Sequence, residues 1–162
     1  MLMAGACGGS PVAPNPPAPV PAPGAVPLNS GPYTLAITFS STGRLICQDS
    51  VCTSFTVCSG TPSATSASFD VVVERSGAKA TVRLPDAASS LALDLDLTPA
   101  LITGAISGSA RDAQGVVIAA SGLVTGAASL AEPQLSGFIQ GQLSVPGGSC
   151  SNDGHTWSLV PR

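Results

Sequence analysis

The chain has 162 residues, enough for one domain of ordinary size. Charged residues make up 9% of it and the net charge is −3, so Arg44, Arg75, Lys79, Arg83, Arg111 and Arg162 cannot build the basic face a nucleic-acid binder needs. The scarcity of Glu, Lys and Arg also excludes a coiled coil or helical bundle, and a hydrophobic content of 44% excludes disorder over most of the length.

At the N-terminus, Ala4-Gly5-Ala6 stand directly before Cys7, and Gly8-Gly9-Ser10 come next. This run resembles the lipobox of bacterial lipoproteins. The resemblance implies export, cleavage before Cys7 and lipidation of that cysteine, with anchorage in the outer membrane facing the periplasm or the cell surface. The pattern departs from the family in carrying Ala4 where Leu is usual, with Leu2 close by. Only six residues precede Cys7, fewer than a charged region plus an apolar stretch of about 7–15 residues requires. Residues 1–7 therefore read as the remnant of a signal peptide that begins upstream. Residues 8–32 hold nine of the 15 prolines and no charge. Proline fixes φ and removes a backbone donor, so this stretch is expected to be a disordered, polyproline-type linker that tethers the domain at 33–162, with a reach of about 3.1 Å per residue.

From residue 33 to 162 the pattern is that of strands. Tyr33, Leu35, Ile37 and Phe39 alternate with Thr34, Ala36 and Thr38. Cys47, Cys52 and Cys58 come next, with Phe55 and Val57 marking a short extra strand. Together with Cys150 they make an even set, and no Cys-x-x-Cys knuckle is present, so disulfides in an oxidising compartment are expected rather than zinc. Barrel closure would set the loop at Cys150 near the loop after Phe39, which predicts two disulfides, one of them linking Cys150 to the Cys47–Cys58 segment, with Cys47 the favoured partner and Cys52 then left with Cys58. Phe69, Val71 and Val73 form the next alternating face, then a turn at Ser76-Gly77, then Ala80, Val82 and Leu84, then Leu91, Leu93, Leu95 and Leu97. Pro62, Pro85, Pro99, Pro133 and Pro146 all fall between runs.

The second half contains a repeat, [ST]-G-x-[IV]-x-G, at 103–108, 121–126 and 136–141. Glycines four apart share one strand face, with Ile106, Val124 and Ile139 between them. That face is expected to point inward and the hydroxyl and amide face outward, which leaves Leu123 and Phe138 as outward exceptions. Inward glycines let a sheet coil tightly or leave unfilled volume. Arg111–Gly115 is a turn, and His155, Trp157 and Leu159 share a face of the last strand. Eight to ten short strands without a helical pattern predict an all-β antiparallel up-and-down meander, closed as a small barrel because so little charge protects its edges, with a β-sandwich as the alternative. The opening Tyr33-x-Leu-x-Ile37, the Ser-Gly-x-Ile-x-Gly strands and the closing Cys150-x4-His155-x-Trp157-x-Leu159 resemble uncharacterised secreted bacterial proteins with lipocalin-like meander barrels. The resemblance implies fold and compartment and carries no activity.

Candidate chemistry is sparse. His155, the single histidine, stands near Asn152 and Asp153 without a nucleophile motif, and a locally hydrogen-bonded strand-end histidine is expected. Asp94 and Asp96 lie two apart on the outward face of a strand, and Ser151–Gly154 is a turn; neither forms a metal loop. No phosphate-cradling loop is present. No catalytic residue, metal or cofactor is assigned. The expected function is an envelope-tethered, non-enzymatic module of structural or binding type, its partner the membrane through the anchor. Two alternatives remain: a carrier of a small apolar ligand, lined by Leu35, Ile37, Val71, Val73, Val82, Leu93, Leu95, Ile106, Val124, Ile139 and Trp157, and a surface adhesion or assembly subunit. Oligomeric state is not legible.

Overall fold

The computed structural model describes residues 26–44, 46–48, 51–129 and 134–162. Cys7, the signal-peptide remnant and linker residues 8–25 lie outside the described residues, as does Pro133.

Among the described residues eleven strands occur in the order β1 (Gly31–Thr38), β2 (Ile46–Gln48), β3 (Val51–Thr53), β4 (Thr56–Gly60), β5 (Ser66–Ser76), β6 (Lys79–Arg83), β7 (Ala92–Leu97), β8 (Ile102–Arg111), β9 (Val117–Ala128), β10 (Leu135–Val145) and β11 (Gly148–Pro161). β5 to β11 form an antiparallel meander, each strand paired with the next. β1 pairs β5 on one side and β11 on the other, which closes eight strands into the expected barrel and removes the sandwich alternative. The alternating apolar residues point inward: Leu35, Ile37, Val71, Val73, Val82, Leu93, Leu95, Ile106, Val124, Ile139 and Trp157 are all buried. Tight turns carry glycine in the left-handed region where it is needed. Gly77 (φ 61°) and Ala78 join β5 to β6, one residue later than the expected Ser76-Gly77, and Pro146 with Gly147 (φ 86°) joins β10 to β11.

β4 is a ninth strand outside the closed ring. β11 has 14 residues, and β1 covers only its C-terminal part, from Thr156 to Pro161. β4 runs along the remainder, with Thr56 opposite Asn152 and Gly60 opposite Gly148. β1 and β4 thus share one track along β11, interrupted by the excursion that carries the β2–β3 hairpin. This hairpin is not expected from the sequence: three-residue strands are too short to show alternation. The track also corrects the disulfide pairing. The strand beside Cys150 is β4, whose register sets Cys58 opposite it, and the bond is Cys58–Cys150. Cys150 is thus joined to the Cys47–Cys58 segment as expected, but through Cys58, which excludes both Cys47–Cys150 and Cys52–Cys58; Cys47 and Cys52 stand opposite one another on β2 and β3.

The boundary between linker and barrel also moves. Val26 and Leu28 are buried in the core, and Pro32 lies in β1, so the folded unit begins before residue 33. The segment Val26–Ser30 covers the upper rim. The Arg75 guanidinium donates to the carbonyls of Val26 (2.9 Å) and Leu28, and the Arg75 N–H donates to Ser30 Oγ at 2.9 Å. A proline early in β1 is tolerated because only its missing N–H is lost; its carbonyl still accepts from Arg162 N at 3.2 Å.

Candidate functional site

Along β9 and β10 glycines bring the backbones of neighbouring strands of the wall close together. Register sets Gly122 beside Gly141 and Gly126 beside Gly137, with Trp157 next in line opposite Gly137. A Cβ at Gly137 would stand 1.8 Å from the Thr125 carbonyl oxygen, and one at Gly122 would stand 2.5 Å from that of Gln140. A Cβ at Gly126 would meet the Trp157 ring at 2.7 Å, and the indole Nε1–H donates to Thr125 O at 3.2 Å. Of the two consequences of missing side chains, a tightly coiled wall is therefore the one realised at these glycines. The backbone sits close to its neighbours and the indole fills what remains.

The outer face is hollow over the same glycines. A groove of about 530 Å³ runs across β9, β10, β11 and β1. Its floor includes Gly126, Gly137 and the edge of Trp157, and its sides are Ala36, Thr38, Thr125, Ser136, Phe138, Thr156 and Ser158, with Leu101 at the upper rim. A second hollow, about 590 Å³, lies over Gly104 between β6 and β8, with Leu123 at its border. Where inward side chains are absent, the wall sinks toward the core and its outside becomes concave.

This outer surface is divided by charge. β5, β6 and β7 carry Asp70, Glu74, Arg75, Lys79, Arg83, Asp94 and Asp96. The strands β8, β9, β10, β11 and β1 carry charge at Arg111, the last residue of β8, and at Asp153, and the Arg44 guanidinium reaches over Phe138. The rest is Ser, Thr, Ala and Gln around the exposed apolar side chains Leu123 (62% exposed) and Phe138 (38%). On the charged wall, Asp96 accepts from Lys79 Nζ at 2.6 Å and Asp94 accepts from Thr81 Oγ1 at 3.0 Å. Asp96, through that bond and its charge, raises the Lys79 pKa. Both aspartates are solvent-facing cross-strand partners. Among the described residues no group of three or more His, Cys, Asp and Glu side chains is placed to hold a metal.

His155 sits at a bulge. Ile139 faces His155 but Gly141 faces Asn152, so β11 gains one residue opposite Gln140. The extra residue switches the alternation, and Cys150, Asn152, His155, Trp157 and Leu159 all become buried. His155 Nδ1 accepts the Ser40 N–H at 3.0 Å. The proton therefore resides on Nε2, which donates to Cys150 O at 3.2 Å. Desolvation lowers the His155 pKa, and the bond to the Cys150 carbonyl opposes that shift. Asn152 Nδ2 donates to Ser40 O at 2.9 Å, and Asp153 accepts the Arg44 N–H at 2.7 Å and pairs with the Arg44 side chain at 3.4 Å. The Arg44 guanidinium in turn lies 4.3 Å from the centre of the Phe138 ring. Ser, His and Asp are thus neighbours without being a triad. His155 meets the backbone N–H of Ser40, whose hydroxyl is turned to the Thr42 carbonyl at 2.7 Å, and Asp153 faces Arg44. The cluster clamps the point where the chain leaves β1 for the β2–β3 excursion.

No protein-family model, no curated protein and no solved structure matches the chain. The repeat identifies the inward glycines and singles out Leu123 and Phe138 as outward. The hollow exterior and the charge-poor wall depend on which strands become neighbours, and so are not legible in the sequence.

Proposed function

We propose that the protein is an envelope-tethered, non-enzymatic β-barrel module of structural or binding type, anchored through lipid on Cys7 and working through its outer wall. The observation that carries this reading is that the hollows lie on the outer wall, over glycines packed against the neighbouring strand's backbone and, at Gly126, the Trp157 ring. The large buried side chains inside, Trp157 and Ile139 among them, weigh against a carrier of apolar ligands in the barrel. His155, with both ring nitrogens committed to backbone groups, supports a structural rather than a catalytic histidine. A surface assembly subunit is the second reading, favoured by the charge-poor wall from β8 to β1, where Leu123 is exposed.

The test is mass spectrometry of the 162-residue chain expressed in a bacterium behind a lipoprotein leader and purified from the envelopes. The N-terminal peptide is expected to carry acyl lipid on Cys7, and the intact barrel to fly free of any non-covalent apolar molecule. An unmodified Cys7 would remove the tether. A stoichiometric apolar molecule that survives in the folded barrel would restore the carrier.

A further inference from the structure

The described residues begin at Val26, which is buried and lines a hollow of about 410 Å³ at the upper rim. Its other walls are the β7–β8 loop and the end of β9. Leu101 and Ala127 line this hollow, and both also line the groove of about 530 Å³ over Gly126 and Gly137. Rim hollow and groove are therefore one continuous depression, with Leu101 (49% exposed) at the step between them. The Arg75 guanidinium holds the Val26 carbonyl at 2.9 Å. The chain before Val26 thus issues from a fixed point inside the depression.

The residues before that point are Pro19-Val20-Pro21-Ala22-Pro23-Gly24-Ala25. A stretch with proline at every second position favours polyproline II and presents carbonyl acceptors with few N–H donors. The groove is its complement. Phe138 and the edge of Trp157 supply apolar surface, and Thr125, Ser136, Thr156 and Ser158 supply hydroxyl donors. Proline-rich segments dock aromatic-lined grooves in this way, at low entropic cost because their conformation is preformed. The stretch is also uncharged, so the Arg44 guanidinium over Phe138 meets neutral acceptors and not a like charge. Length agrees as well. From β9 to β1 are three strand spacings, about 14 Å, and five polyproline residues span about 15 Å. Gly24 and Ala25 remain to cross the step at Leu101. A connection this short gives an effective concentration in the millimolar range or above.

We propose that Pro19–Pro23 lies in the groove of its own chain, so that the linker folds back on the wall beside which it emerges. The proposal goes beyond the tethered module and stands whether or not Cys7 carries lipid. Where Cys7 is anchored, docking shortens the free tether to residues 8–18.

The test is NMR on the full 162-residue chain with Cys7→Ser. Proton–proton contacts are expected between the Pro19–Pro23 side chains and the rings of Phe138 and Trp157. Trp157 is the single tryptophan, so its indole signals are read without ambiguity. Replacing Pro19, Pro21 and Pro23 together by Ser is expected to abolish the contacts and shift the indole resonances; these changes lie outside the barrel and leave its folding intact. Ser136→Arg, on the outward face, is expected to abolish the same contacts by filling the groove, with thermal unfolding unchanged. Prolines that show no contact with either ring overturn the proposal. So do contacts that survive Ser136→Arg, contacts made instead at the hollow over Gly104, or contacts that fade on dilution, which would come from a neighbouring molecule.

Discussion

His155 shows how one residue type is assigned by its surroundings. Its neutral form accepts from Ser40 N and donates to Cys150 O, and protonation would set a second N–H against the Ser40 donor. Burial already lowers its pKa. Below the ordinary histidine value of about 6.5 the unfolded chain takes up a proton that the folded one refuses, so stability is full above that pH and falls as the solution is acidified. Urea denaturation between about pH 8 and pH 5, above the carboxylate range, is expected to show this loss, and His155→Gln is expected to flatten it. A wild-type curve as flat as the variant's would mean that the imidazole is not held neutral. Glycine gives a second case at the same scale. Gly137→Ala places a methyl 1.8 Å from the Thr125 oxygen, a clash with backbone that no rotamer relieves. The expected cost is about 3 kcal/mol or more, against less than about 0.5 kcal/mol for Ser136→Ala on the outward face. Equal unfolding midpoints for the two would show that the β9–β10 spacing yields easily.

Among the elements, the legible ones are those whose burial alternates over many residues. β5, β8, β9 and β10 each have 10 to 12 residues, and a single pass along the sequence separates their two faces. β4 is only half legible: Phe55 and Val57 mark it, but both are exposed, and its place beside β11 depends on where β1 stops. The Val26–Ser30 cover is hidden because its prolines read as linker, while its anchor, Arg75, lies 45 or more residues away. The disulfide partner of Cys150 is hidden for the same reason, since it is a consequence of the β4 register. That bond is the covalent tie between β4 and the barrel. It spans 92 residues, and in the chain-entropy account a loop of that size contributes about 4–5 kcal/mol. Replacing Cys58 and Cys150 together by Ser is expected to lower the unfolding free energy by that order while the eight-stranded ring still forms. A loss below about 1 kcal/mol would show that the unfolded chain is already constrained there.

The whole molecule presents apolar side chains inward and hydroxyls outward, the reverse of a barrel that spans a membrane, whose lipid face is apolar and whose lumen is polar. Outward positions on the long strands, such as Thr103, Ser107, Ser121, Thr125, Ser136, Gln140 and Gln142, would leave unpaired donors and acceptors in hydrocarbon. Leu123, Phe138, Leu101 and Val160 are too few and too scattered to form a band. Under the proposed lipidation, contact with the bilayer would fall to the lipid on Cys7 rather than to the barrel wall. In flotation with uncharged phosphatidylcholine vesicles, the lipidated chain is expected to rise with the lipid and the Cys7→Ser chain to stay in the aqueous fraction. If the Cys7→Ser chain floats as well, the hollow wall from β8 to β1 is a membrane-facing surface. Leu123→Asp should then return it to the aqueous fraction.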